Sequence, residues 1–158
     1  MTSLAKSLTK VFSLSAVALT LITNVTPVLA HDDAYLDTLK SANGGQLRMA
    51  GIYHFELVMV KDSKEVKDNQ ILVYVTDHGG TKITTTGATA TATILAGKVK
   101  TTANLVADGE NRLKGVAKYA SGADAKVVLS VNMAGKSTEQ ARFTPFTLPK
   151  DEHVDHKH

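Results

Sequence analysis

The chain has 158 residues, 21% of them charged and 43% hydrophobic, a composition that fits one ordinary globular domain. It has no cysteine, which excludes a disulfide framework, a thiolate nucleophile, covalent haem, lipid attachment at a cleavage site and a blue-copper ligand set. Its lysines are scattered among carboxylates, so the formal net charge of +3 forms no basic stripe; with no Trp, four Tyr and four Phe, nucleic-acid and carbohydrate binding are not expected.

The first 30 residues read as a cleavable export signal. Lys6 and Lys10 form a basic start, Val11 to Ile22 an apolar centre too short to span a bilayer, and Val28-Leu29-Ala30 a cleavage site. Cleavage there removes Lys6 and Lys10, leaves 16 basic and 15 acidic side chains with a net charge of +1, and makes His31 the first residue of a product with no membrane anchor.

Residues 31–43 are expected as an N-terminal extension with at most one helical turn, from the spacing of Tyr35, Leu36 and Leu39. Gly44-Gly45 ends it and opens a β-domain over 44–149. Tyr53, Phe55, Leu57 and Met59 alternate with His54 and Glu56 as a strand with one buried face requires. The polar segment Lys61 to Asn69 leads to a strand at Ile71 to Val75, and the turn Asp77-His78-Gly79-Gly80 to another at Lys82 to Thr86. Ala88 to Leu95, Lys98 to Leu105, Arg112 to Tyr119, Lys126 to Met133 and Thr138 to Phe143 follow, with turns at Ala96-Gly97 and Ala107 to Asn111. Pro145 and Pro149 close the domain, and residues 150–158 form a His-rich tail. Seven to eight strands without a long amphipathic helix predict an all-β fold, an immunoglobulin-like antiparallel sandwich. The threonines at Thr84 to Thr86, Thr89, Thr91, Thr93, Thr101 and Thr102 suit solvent-facing strand positions.

Neither a G-x-S-x-G elbow nor a phosphate-cradling glycine loop occurs, so no enzyme is expected. The remaining chemistry is histidine with carboxylate and methionine neighbours. His54 and Glu56, two apart on a strand, leave from one face, and a hairpin with the 71–76 strand puts them near Asp77 and His78. Two imidazoles and two carboxylates suit a borderline ion such as zinc or copper. The bland reading is a solvated strand histidine and an ordinary turn. Met59 and Met133 read as core, whereas Met49 is open to a ligand role. His31, if exposed by cleavage, can chelate copper through its α-amine and imidazole; otherwise it is a frayed terminus. His153, His156 and His158 form a weak auxiliary metal site or a solubilising end.

The runs from Gly44 to Val58 and from Val73 to Gly80 resemble small periplasmic β-domains of bacterial heavy-metal handling, similar to metal-binding modules on the adaptor subunits of heavy-metal efflux pumps. The shared pattern is H-G-G, a spacer, G-x-Y-H-x-E and a later V-Y-V-x-D. The resemblance implies a sandwich fold and periplasmic binding or relay of copper, zinc or a similar ion, accessory to efflux or resistance, with a pump adaptor as partner. His54 and Glu56 match the Y-H-x-E element and Asp77 the later acid, but Asn43 stands where the family carries histidine. Either binding is weaker here or His31, His78 or Met49 supplies the donor. The competing expectations are a non-metal structural or protein-interaction β-sandwich of the cell envelope and, less economically, a copper enzyme built on His31.

Overall fold

The computed structural model describes residues 33–147, so the expected export signal, His31 and the tail histidines His153, His156 and His158 lie outside the described residues. A short helix, α1 (Asp33–Thr38), precedes eight strands: β1 (Gln46–Ala50), β2 (Tyr53–Met59), β3 (Lys67–Thr76), β4 (Thr89–Ala96), β5 (Val99–Ala107), β6 (Arg112–Tyr119), β7 (Lys126–Asn132) and β8 (Thr138–Phe143). Among the described residues no helix is long and apolar enough to cross a membrane.

The fold is all-β, but its strands are not divided between two sheets as an immunoglobulin-like sandwich requires. All eight form one antiparallel sheet in the order β1-β2-β3-β6-β5-β4-β7-β8. The consecutive strands β4, β5 and β6 pair in turn, while β3 lies beside β6 and β7 beside β4, giving two overlapping Greek keys. The sheet curls until its two edges meet. There Gln46 Oε1 accepts from the Thr144 amide at 2.8 Å, and Gln46 Nε2 reaches Thr144 Oγ1 at 3.4 Å, so the barrel is nearly closed by side-chain bonds.

Alternation explains the core. Inward positions on successive strands supply Phe55, Leu57, Ile71, Val73, Ile94, Leu105, Leu113, Leu129 and Phe143, which bury themselves against one another and fill the interior. Met59 and Met133 join this core. Two segments depart from the sequence expectation. β1 carries no strand signal of its own, because its inward positions include Gln46 and Arg48 where an apolar residue is the usual mark. Lys82 to Thr86 forms only an isolated bridge, Thr76 to Lys82, and Thr85 is fully buried with its hydroxyl on Arg112 O at 3.0 Å instead of facing solvent.

The segment expected as an N-terminal extension is part of the fold. Leu36 of α1 is buried, and Arg48, itself buried, donates to both carboxylate oxygens of Asp37 at 2.7 and 3.2 Å and sits 3.5 Å from Asp33. Burial pushes the Asp37 carboxyl up, but hydrogen bonds from Arg48 and Gln46 and the Arg48 charge outweigh it and hold the group below its usual range. A buried guanidinium left without its partner is costly, so α1 cannot be removed from β1 without penalty.

Tyr119 ties the β2–β3 connection to β6. Its hydroxyl accepts from Val60 N at 2.9 Å and donates to Gln70 O at 3.0 Å, and burial raises its pKa. Tyr119→Phe leaves both backbone groups without that partner and is expected to cost about 1–3 kcal/mol in urea unfolding. Because the folded-state pKa is raised, the contribution of the neutral phenol is intact below pH 10.0 and is lost as pH rises through the folded value. The wild type is therefore expected to lose stability above pH 10.0 faster than Tyr119→Phe.

Candidate metal-binding face

β2 pairs with β1 on one side and β3 on the other, and the register fixes which outward side chains meet. Met49 is the partner of His54 on β1, and Thr76 is its partner on β3. Directly paired residues project from the same face, with Cβ atoms about 4.5–5.5 Å apart. Met49, His54 and Thr76 therefore form one row across the outside of the barrel. Met49 and His54 are half-buried.

His78 lies two residues beyond Thr76 in the turn that follows β3, and its ring stacks on His54 with centroids 4.9 Å apart and planes at 24°. The expected hairpin thus exists with His54 opposite Thr76, so that His78 reaches back over His54 from the turn. The turn is held by Asp77. Its Oδ1 accepts from Gly79 N at 2.9 Å and Thr81 N at 2.8 Å, while its backbone carbonyl accepts from Gly80 N at 3.1 Å. The Thr81 amide bond above all, helped by Gly79 and the nearby His78 charge, holds the exposed Asp77 carboxyl below its usual range. Asp77 therefore positions His78 from behind, with one carboxylate oxygen already engaged by two amides.

Glu56 shares the outward face of His54 but has different work. It is buried, and the loop before β1 folds over it: Oε1 accepts from Asn43 N at 2.8 Å and Gly45 N at 2.9 Å, and Oε2 accepts from Asn43 Nδ2 at 2.8 Å. Asn43 is the donor side chain of this arrangement. Gly45 passes so close to β2 that a Cβ there would lie 2.4 Å from Leu57 O, so only glycine lets the loop reach the carboxylate. Sequence spacing alone pairs Glu56 with His54 as ligands. The signal for its actual partners is present in Asn43-Gly44-Gly45, a tight loop whose amides need an acceptor.

The sequence-derived set is thus separated by function. His54 and His78 come together, Met49 joins them across the β1–β2 ladder, and Glu56 and Asp77 bind backbone amides on either side. Among the described residues, no three His, Asp or Glu side chains gather as a metal-holding group. Two imidazoles and a thioether are a soft, low-coordination donor set, suited to copper(I) more than to a closed tetrahedral zinc site.

Removing the Glu56 carboxylate should expose its structural part. Glu56→Ala is expected to destabilise the fold by about 2–4 kcal/mol, because three donors lose a charged acceptor. Hydrogen exchange at the Asn43 and Gly45 amides should accelerate in this variant. A stability change near zero, with metal affinity alone affected, would return Glu56 to the ligand set.

In comparisons with known proteins, no family model, curated protein or solved structure matches the chain, and its function is therefore argued from the chemistry of these residues.

Proposed function

We propose that this protein binds a transition-metal ion on the outer face of its barrel, through His54 and His78 with Met49 as a third donor, and that it holds or relays that ion in the periplasm as an accessory to heavy-metal efflux or resistance. The observation that carries the reading is the stacking of two imidazoles, 4.9 Å between centroids, one from a strand and one from a turn fixed by Asp77. His78 is exposed on that turn, so its ring can reorient about its side-chain torsions to share an ion with His54 without moving the sheet. Copper(I) is the favoured ion because it accepts two or three soft donors, and zinc is the runner-up. A relay suits such a site: few ligands and one exposed donor permit capture and release. An efflux-pump adaptor is the partner that the sequence resemblance suggests.

The test is metal binding by the purified protein, under reducing conditions for copper(I), in wild type, His54→Ala, His78→Ala and a chain truncated after Pro149. Each histidine variant is expected to weaken copper(I) by at least about tenfold while the truncated chain retains the site. Affinity should also fall as the solution is acidified, since protons compete with metal for imidazole nitrogen. Equal affinity in wild type and both histidine variants overturns the site. Loss in the truncated chain alone moves binding to His153, His156 and His158, and absence of metal binding in every sample leaves the protein-interaction reading.

A further inference from the structure

On the outer surface, β4, β5, β7 and β8 carry a groove of about 590 Å³ that continues to the α1–β1 seam. The ladder registers define its floor. Leu95 of β4 pairs with Lys100 of β5 on one side and Lys126 of β7 on the other, making one row on the outer face. Two residues along the same strands, Thr93 pairs with Val128, and Val128 pairs with Arg142 of β8. Three cations thus surround an apolar strip, in which Leu95 is 43% exposed to solvent.

The charges are unbalanced. Among the described residues, Lys100, Lys126 and Arg142 have no carboxylate within ion-pair distance, and the one acid lining the groove, Asp33, faces Arg48 at 3.5 Å. These cations are 26 and 16 positions apart in the chain, so only the sheet brings them together. The groove's size falls within the range of about 300–1,000 Å³ typical of small-molecule sites. Its lining offers no exposed aromatic ring on which a nucleic-acid base could stack.

We infer that this groove binds a single-chain anionic amphiphile, with a carboxylate head held by Lys100, Lys126 and Arg142 and an acyl chain lying along Leu95 and Val128. The division of labour follows from the surface: cations on long flexible stems capture the head, and the aliphatic strip between them shields a chain from water. The inference is independent of the metal reading, since none of its residues belongs to the His54 face.

Calorimetric titration of the full chain with decanoate, kept below its micelle concentration, tests the assignment. Saturable binding of one decanoate per chain is expected, at least about tenfold tighter than that of decanol, which lacks the charge, or acetate, which lacks the chain. The double variant Lys126→Ala/Arg142→Ala, with its melting temperature checked against wild type, should weaken decanoate by at least about tenfold. Lys136→Ala, on the turn between β7 and β8, should bind as wild type does. Added salt should weaken wild-type binding. Absence of decanoate binding, equal affinity for decanol, or equal affinity in the double variant overturns the proposal. Binding to vesicles containing anionic phospholipid without binding to monomeric decanoate overturns it as well, and assigns the surface to a membrane.

Discussion

The buried carboxylate of Glu56 is the contact on which the placement of β1 depends. By accepting from Asn43 and Gly45 it pins the loop that launches β1, and β1 then takes the register that sets Met49 beside His54 and Arg48 beside Phe55. A shift of one residue in that ladder would exchange the two faces of β1. The thioether would turn toward the core and the Arg48 guanidinium toward water, leaving Asp37 and α1 without their anchor. A single acceptor at the start of the sheet therefore has consequences for the Met49–His54 row on the outer face and for the Arg48–Asp37 pair at the seam.

Alternation along β1 also explains how a small barrel presents two unlike sets of side chains. Outward residues of β1 and β2 contribute soft and aromatic nitrogen donors near the Asp77 turn. The inward Arg48 belongs to the seam, where it meets α1 and the end of the cationic groove. The interior itself is packed with aliphatic and aromatic side chains, so both proposed sites lie on outer surfaces instead of in a central cavity. With no cysteine available, cohesion comes from that packing, from Tyr119 at one connection and from the Arg48–Asp37 pair at another.

Much of the strand content is legible in the sequence because it is local. The Tyr53 to Met59 alternation, the glycine turns and the β-branched runs each report backbone direction within a few residues, and their strands are where the pattern puts them. β1 escapes notice since a paired arginine occupies an inward position. The run from Lys82 to Thr86 misleads because β-branching is shared by strands and by buried loop residues such as Thr85. Sheet order is not legible: the pairing of β3 with β6 and of β4 with β7 is decided by long-range packing that no window of sequence contains. For the same reason His54 and His78 can be brought near each other on paper by a hairpin, whereas the gathering of Lys100, Lys126 and Arg142 cannot. Glu56 is open to misreading because a strand carboxylate beside a histidine has the same spacing whether it holds a metal or a loop.

The seam between β1 and β8 determines how the molecule assembles and yields. Gln46 and Thr144, which join it, are 98 residues apart, whereas the β1–β2, β4–β5 and β7–β8 ladders close over short turns. Loop-closure entropy makes the distant contact the last to repay its formation, so the hairpins can form early while the cylinder is still an open ribbon. The seam itself is bridged by two hydrogen bonds of the Gln46 side chain, whereas every other strand junction is a backbone ladder. The barrel thus has a built-in line of first opening, and it runs beside the Arg48 end of the groove.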